Sequence, residues 1–259
     1  MARQKLGQHF LIKGKTLDRI ARAVCGDVHG EHTPLVVEIG PGRGALTERL
    51  LNHSDRVAAI ELDASLTAHL RERWRQEPRL EILEANALHV DWSQWGEGVL
   101  AGNLPYYIAT PLISRYVREP GALRHAVFLI QKEVAERITA QPGGREYGYL
   151  SVECQFFAQA EYLFSVPPGA FQPPPKVDSA VIRLTPRPAP AVDDTAGFLA
   201  FASICFRQKR KTLRNNLAGH YPAEAYESRP EISRRAETLS VAEFVELYRV
   251  LKNHKMESR

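Results

Sequence analysis

The sequence predicts an α/β fold with a doubly wound, mostly parallel sheet, followed by a small all-helical domain at the C-terminus. Short apolar runs rich in β-branched residues recur through the first 185 residues, and helical stretches separate most of them. Such alternation is typical of βαβ units and a parallel sheet. A proline-rich segment then interrupts the chain, and the patterns after it are helical.

The strands of the predicted sheet are short. We expect them at residues 35–39, 56–62, 80–85, 98–103 and 125–131, with two later strands at 161–166 and 179–185. The run 63–76 is expected to form a helix between the second and third strands. We expect the strand at 179–185 to pair antiparallel at an edge of the sheet.

Prolines indicate where the first domain ends. Residues 186–190 contain three prolines, which can neither continue a helix nor donate a ladder of backbone hydrogen bonds. We therefore predict a first domain over 1–185, a linker over 186–194 and a helical domain over 195–259. In the last of these, Ser240 and Glu243 stand in the positions of a capping box.

Composition excludes several classes of protein. The 259 residues are 44% hydrophobic and 25% charged, an ordinary globular composition. Cys25, Cys154 and Cys205 lie far apart and form no CxxC pair, so we expect no metal site and no disulfide framework. Because no apolar run approaches the roughly 20 residues of a membrane span, we expect a cytoplasmic protein without a membrane anchor.

Positive charge is concentrated in two blocks. Residues 1–23 hold six Lys or Arg against one acid, Asp18, and residues 207–214 hold five and no acid. These two local charges of +5 leave −6 for the rest of a chain whose net charge is +4. Such segregation is typical of a polyanion binder. The candidate RNA contacts in the second block are Arg207, Lys209, Arg210, Lys211 and Arg214.

A glycine-rich turn follows the first predicted strand. Gly40, Gly42 and Gly44 lack side chains, so a ligand can approach the backbone where the next helix begins. The dinucleotide fingerprint G-x-G-x-x-G/A is also compatible, since Ala45 stands at its last position. Spacing alone therefore does not decide between a G-x-G-x-G turn and the dinucleotide fingerprint.

Polar side chains stand at the ends of the next two predicted strands. Glu61 can accept hydrogen bonds from ribose hydroxyls, and Asn86 can donate and accept along an adenine edge. Open α/β sheets bind ligands at the carboxyl ends of their strands. The glycine turn, Glu61 and Asn86 together predict a site for a nucleoside cofactor.

The fourth strand ends in the sequence NLPYY, which indicates chemistry on an adenine amine. This amine is a poor nucleophile because its lone pair is delocalised into the ring. The side-chain oxygen of Asn103 can accept one of its hydrogens, and the carbonyl of Leu104, turned inward by Pro105, can accept the other. Tyr106 offers a face for stacking an extruded base. Attack of the amine on a methyl sulfonium fits this set.

With these motifs in view, the chain resembles the small-subunit (16S) ribosomal RNA adenine N6,N6-dimethyltransferase family over nearly its full length. The resemblance rests on specific motifs, "KLGQHFL", "EIGPGRGALT", "IELD", "GNLPYYIATPL", "IQKEVAERI", "FQPPPKVDSAVIRL" and "FRQKRKTLRNNL". It implies a Rossmann-like methyltransferase domain with S-adenosylmethionine (SAM) as methyl donor and a C-terminal rRNA-binding domain.

The resemblance also implies roles for individual residues. His9 and Leu11 would contact the methionine end of SAM, and Phe171 would close over the target base. The cofactor set would be His9, Leu11, Gly40, Gly42, Glu61, Asn86 and Asn103, and the catalytic set Asn103, Leu104, Pro105, Tyr106 and Phe171. The family usually has aspartate where this chain has Asn86, and asparagine where it has His9.

The implied reaction places two methyl groups on the 6-amino group of each of two adjacent adenosines near the 3′ end of 16S rRNA. The partner would be the 30S subunit or its late precursor, with a role in small-subunit biogenesis, and the enzyme is expected to act as a monomer. Three alternatives are a large-subunit methyltransferase of the macrolide-resistance (Erm) type, an RNA-binding assembly factor with secondary catalysis, and an NAD oxidoreductase. No residue set here supplies a hydride-transfer site for the last.

Overall fold

The computed structural model describes residues 9–26, 33–190 and 192–254. The strands are β1 (Phe10–Leu11), β2 (Val36–Ile39), β3 (Val57–Glu61), β4 (Leu80–Glu84), β5 (Gly98–Asn103), β6 (Leu123–Gln131), β7 (Ala158–Val166), β8 (Phe171–Gln172) and β9 (Ser179–Pro186). The α-helices are α1 (Gly14–Cys25), α2 (Ala45–Leu51), α3 (Ala64–Arg73), α4 (Tyr106–Arg118), α5 (Lys132–Thr139), α6 (Tyr149–Phe157), α7 (Thr195–Cys205), α8 (Leu213–Leu217) and α9 (Val241–Leu251).

Seven strands form one sheet in the order β4-β3-β2-β5-β6-β9-β7. The neighbours from β4 to β6 are parallel, so the predicted doubly wound α/β fold is confirmed. β9 pairs antiparallel with β6, as expected, but the expectation that it lies at an edge is wrong, since β7 occupies that edge. The first four residues of β9, "SAVI", are all buried, so both faces of this strand are covered. Strands inside a sheet have such a pattern, which explains why β9 does not lie at the edge.

The N-terminal part of the first unit is held at two places, once in a separate two-stranded sheet and once against strands of the seven-stranded sheet. The short strand β1 pairs antiparallel with β8. At the C-terminal end of α1, His125 Nε2 donates to the Val24 carbonyl at 2.8 Å, and Arg183 donates to the Ala23 carbonyl at 2.9 Å. Side chains of β6 and β9 thus satisfy carbonyls that a helix end leaves without partners.

The chain divides into two compact units. The first comprises the described residues up to Ala135 together with Gln159–Pro186, and the second comprises Glu136–Ala158 and the described residues from Arg187 onward. This differs from a contiguous domain over 1–185, because residues 136–158 group with the C-terminal helices. The physical reason is apolar packing, since the rings of Phe156 and Phe198 stack at 4.5 Å and both are fully buried.

The second unit is helical, as predicted. The capping box at the start of α9 is present, with Ser240 Oγ accepting from Glu243 N at 3.2 Å and Glu243 Oε2 accepting from Ser240 N at 2.8 Å. None of the helices in the described residues combines the length and the apolar character of a membrane-spanning segment.

The grouping of residues 136–158 with the second unit predicts a large cost for Phe156→Ala. We expect the free energy of unfolding, measured by urea denaturation, to fall by about 3 to 5 kcal/mol, because a buried aromatic ring is replaced by a cavity. Phe157→Ala is the matched control, since Phe157 is only partly buried, and should cost clearly less. If both variants lowered the free energy of unfolding by the same small amount, residues 136–158 would be a connecting segment and not part of the core of the second unit.

Candidate active site

A cleft lies in the first unit, where the parallel strands end. Among its lining residues are nearly all the predicted cofactor and catalytic residues, namely His9, Leu11, Gly40, Gly42, Glu61, Asn103, Leu104, Pro105, Tyr106 and Phe171. A second cleft is lined by Asn86 and also by Gly40, Glu61 and Pro105, so the two clefts adjoin. Clefts at strand ends are where open α/β sheets bind ligands.

The glycine turn after β2 requires glycine for two reasons. Gly40, Gly42 and Gly44 have φ values of +68°, +59° and +80°, which L side chains rarely adopt. A Cβ at position 44 would also overlap the Trp74 ring, and one at position 42 would lie 3.0 Å from the Phe10 ring. The turn therefore presents bare backbone to the cleft.

Glu61 fastens this turn to the end of β3. Its Oε2 accepts from Gly42 N at 3.1 Å, and its Oε1 accepts from the backbone nitrogens of Leu62 and Asp63, both at 2.9 Å. A carboxylate has about four acceptor sites, so three internal donors leave room for about one more. Glu61 can therefore accept about one hydrogen bond from a ribose hydroxyl, fewer than the bonds from ribose hydroxyls that the sequence predicted.

Asn86 lies in a loop that is held by a side chain of α4. Its Oδ1 accepts from Leu88 N at 3.0 Å, which leaves its amide nitrogen as the group available to a ligand. Arg115 donates to the carbonyls of Ala87 and Val90, both at 2.5 Å. The loop is therefore clamped, and Asn86 offers a donor suited to a ring nitrogen of a purine.

Asn103 is oriented by a hydrogen bond to the N-terminal segment. Its Nδ2 donates to the His9 carbonyl oxygen at 3.2 Å. Because a carbonyl oxygen can only accept, the amide NH₂ must face His9, and Oδ1 remains the acceptor for a ligand. In the described part of the chain, the Leu104 carbonyl receives no backbone hydrogen bond, while Leu104 N donates to Leu129 O at 3.0 Å.

Three rings line the same cleft as this pair of acceptors. The hydroxyl of Tyr106 is hydrogen-bonded to Ser179 Oγ at 3.0 Å, and burial raises the pKa of this hydroxyl. The His9 ring lies 5.8 Å from the Tyr106 ring and donates from Nδ1 to the Pro173 carbonyl at 2.8 Å. Phe171, in β8, is buried at the wall of the cleft. The site thus has fixed aromatic faces beside two oxygen acceptors.

The sequence analysis missed Glu38, which also lines the cleft. It is 1% exposed, and Thr47 Oγ1 donates to its Oε2 at 2.6 Å. Burial raises its pKa to about 8, the Thr47 hydrogen bond opposes that shift, and the charge of Glu61 adds to it. The available signal was an acidic residue inside the apolar run 35–39.

The predicted RNA contacts lie in the second unit, at or just beyond the loop between α7 and α8. Arg207, Lys209, Arg210, Lys211 and Arg214 are all exposed. Of the N-terminal block, Lys13, Lys15, Arg19 and Arg22 are exposed as well. Arg3 and Lys5, and the first part of the motif "KLGQHFL", lie outside the described residues.

The family follows from comparison with known proteins. The model of the family described as ribosomal RNA adenine dimethylase matches residues 1–253. The chain belongs to this family. It is therefore a SAM-dependent rRNA methyltransferase, which confirms the enzyme class that its motifs predicted.

Individual relatives agree with this membership. The ribosomal RNA small subunit methyltransferase A of Hahella chejuensis is 41% identical and covers 99% of this chain and 95% of its own. The dimethyladenosine transferase of Plasmodium falciparum has a TM-score of 0.81 at 25% identity, covering 95% of this chain and 99% of that one. The 23S rRNA methyltransferase ErmE has a lower TM-score, 0.73, at 25% identity, covering 94% and 99%. The small-subunit family is thus favoured over the Erm type.

The position of Asn86 predicts how substitutions there affect SAM affinity. Asn86→Ala should cost about 1 to 3 kcal/mol of binding free energy, because a purine edge loses its partner. Asn86→Asp should change it by less than about 1.4 kcal/mol, since the carboxylate can accept both from Leu88 N and from an adenine amine. Calorimetry with SAM measures both, with the exposed Asn215→Ala as control. An alanine variant that binds normally would remove Asn86 from the cofactor site.

The raised pKa of Glu38 predicts a pH dependence of stability. Between its ordinary pKa of 4.5 and about 8, the folded chain keeps a proton that the unfolded chain has released. The free energy of unfolding should therefore fall as pH rises through this window. Glu38→Gln, which keeps an acceptor for Thr47, should flatten that fall in urea titrations. The same pH slope in both proteins would show that Glu38 is not buried as a neutral acid.

Proposed function

We propose that this enzyme transfers methyl groups from SAM to the 6-amino groups of two adjacent adenosines near the 3′ end of 16S rRNA, giving N6,N6-dimethyladenosines. The observation that carries the proposal is the orientation of Asn103. Its amide nitrogen is engaged by the His9 carbonyl, so Oδ1 is an acceptor beside the Leu104 carbonyl in the same cleft.

The residues of the two clefts fit SAM. The glycine turn exposes backbone, Glu61 retains acceptor capacity at the end of β3, and the Asn86 amide can donate to a purine nitrogen. His9 and Leu11 line the same cleft as the turn, where the methionine end would lie. When bound, SAM supplies an electrophilic methyl group on a sulfonium.

Asn103 and Leu104 would activate the target amine. Two oxygen acceptors that draw on its two hydrogens favour a more tetrahedral nitrogen, whose lone pair is then available for attack. After the first methyl transfer the nitrogen is cationic and releases one proton to water, and either acceptor can then bond to the one hydrogen that remains. The same pair of oxygens therefore serves both methylations without moving.

Tyr106 and Phe171 would hold the extruded base. The Tyr106 ring is anchored through its hydroxyl at Ser179, so it offers a stacking face at little further entropic cost. Phe171 lies in β8, which is paired with β1, and so forms a firm wall of the cleft. An adenosine in a single-stranded loop costs less to extrude than one in a duplex.

The exposed cations of the second unit support docking on rRNA within the 30S subunit or its late precursor. We infer that Arg207, Lys209, Arg210, Lys211 and Arg214 contact phosphates there and that the enzyme acts as a monomer in the cytoplasm. A basic surface supplies affinity that does not depend on base sequence. Such docking also suits a role in late small-subunit biogenesis.

Primer extension across the 3′ loop of 16S rRNA tests the proposal, because dimethyladenosine blocks Watson–Crick pairing. Immature 30S particles incubated with the protein and SAM should give stops at two adjacent adenosines, and particles without SAM should give none. Stops in 23S rRNA instead would indicate an Erm-type enzyme. Binding to 30S particles without any stop would indicate an assembly factor.

Asn103→Ala should lower the single-turnover methylation rate by about a hundredfold or more, as loss of one preorganised hydrogen-bonding group does elsewhere. SAM affinity and 30S sedimentation should change much less, because the interaction strengthens in the transition state. The exposed Asn52→Ala is the control. Near-normal methylation by Asn103→Ala would overturn the mechanism, and lost 30S binding would make NLPYY a docking element.

A further inference from the structure

The loop between α7 and α8, residues 206–212, is held at both ends by backbone contacts. We call it the basic loop. Arg207 N donates to Ile204 O at 3.1 Å at its start, and Leu213 N donates to Arg234 O at 2.8 Å just after its end. A bridge pairs Thr212 with Arg235. Its cations are therefore carried by a segment with fixed ends.

Asn216, in α8, holds the middle of the basic loop. Its Oδ1 accepts from Gln208 N at 2.9 Å, and its Nδ2 donates to Gln208 O at 3.3 Å. Asn216 is 4% exposed, and both ends of its side-chain amide bond to the backbone of the single residue Gln208. Buried polar groups that bond to a loop in this way hold that loop in one shape.

The loop between α5 and α6, residues 140–148, contacts the basic loop through Lys209. The ammonium of Lys209 donates to the Arg145 carbonyl at 2.7 Å, although the two residues are 64 positions apart. The Arg145 side chain is 96% exposed, with Glu146 at 3.7 Å as its ion-pair partner. Gly143 N donates to Glu237 O at 2.7 Å, which ties this second loop to the same unit.

We propose that Arg145 and the basic loop form one docking surface for the sugar–phosphate backbone of RNA, and that Asn216 is the positioning residue that keeps this surface in shape. The inference rests on the proposed function and adds to it a contact residue from a segment that carries no basic run. Arg145 is assigned by its place beside Lys209, and Asn216 by its two hydrogen bonds.

The chemistry of the surface favours phosphates over bases. The exposed positions of the basic loop, 207–211, contain four Arg or Lys and no aromatic side chain, while Phe206 at its start packs against the Phe244 ring at 5.5 Å. Stacking on single-stranded bases requires aromatic faces, whereas flexible exposed cations neutralise phosphates and displace counterions. Surface ion pairs such as Arg145 with Glu146 are worth little, so Arg145 can exchange its partner for a phosphate at small cost.

The test measures binding of the full chain to 30S particles and to naked 16S rRNA over a range of salt concentrations. Arg145→Ala should lower the slope of log affinity against log salt by about 0.7 to 0.9, the value of one phosphate contact. Arg145→Lys should retain the slope, and so should Arg75→Ala, an exposed arginine of the first unit that removes the same charge. SAM affinity should stay the same in all variants.

Asn216→Ser tests the positioning role through the same slope. It should lower the slope by about one to two units, because cations of a loosened loop no longer reach their phosphates together. Partial unfolding would reduce the amount of complex but leave its salt slope unchanged. Combining Asn216→Ser with Lys209→Ala should lower the slope by less than the two separate effects added together.

Three results would overturn the inference. An unchanged slope in Arg145→Ala would exclude Arg145 from the surface, and additive slopes in the double variant would exclude the role of Asn216. Weaker binding of Arg145→Ala to 30S particles, with normal binding to naked rRNA, would indicate a ribosomal protein as the partner. If the wild-type chain bound no 16S rRNA at all, the proposed function itself would fail, which is a distinct outcome.

Discussion

The hydrogen bond from the Asn103 amide nitrogen to the His9 carbonyl oxygen joins segments that are 94 positions apart in the chain. Because the carbonyl can only accept, this bond decides which end of the Asn103 amide remains for a ligand. His9 is itself held, since its ring donates to Pro173 and the strand that follows it pairs with β8. The proposed chemistry on an adenine amine therefore depends on a short N-terminal strand that belongs to a separate two-stranded sheet. A change that loosened β1 would free the amide to rotate while leaving every residue of NLPYY in place.

Hydrogen bonds between distant segments also hold the proposed cofactor side of the site. There, the loops after β2 and β4 are each fastened by a side chain from another element. Glu61 ties the glycine turn to the end of β3, and Arg115 ties the loop of Asn86 to α4. Parallel strands bring their carboxyl ends to one edge of the sheet, but the loops beyond them do not take one shape unaided. These internal bonds use part of the polar capacity of the site. In return the remaining donors and acceptors are preorganised, which is what transition-state stabilisation requires.

Much of the fold and site could be predicted from local patterns. The sheet followed from alternating runs, and the places of Gly40 and Asn103 in the cleft followed from short motifs at strand ends. What the sequence did not reveal depends on tertiary contacts. The edge position of β7 is set by pairing, and the membership of residues 136–158 in the second unit is set by rings such as Phe156 packing on α7. The buried state of Glu38 likewise arises only when the sheet and α2 enclose it, although an acid within an apolar run was a usable signal.

Charge and chemistry are carried by different parts of this chain. Net charge is only +4, yet exposed cations gather in the basic loop, while Glu38 and Glu61 in the cleft are buried and internally bonded. Long-range attraction to a polyanion acts through exposed charge and is screened by salt, whereas the proposed activation of the amine acts through short hydrogen bonds inside the cleft, where screening is weak. The proposed docking and the proposed catalysis therefore draw on separate interactions. Salt or a basic-loop substitution can weaken the first without disturbing the second, and the hydrogen bond at Asn103 can fail while docking persists.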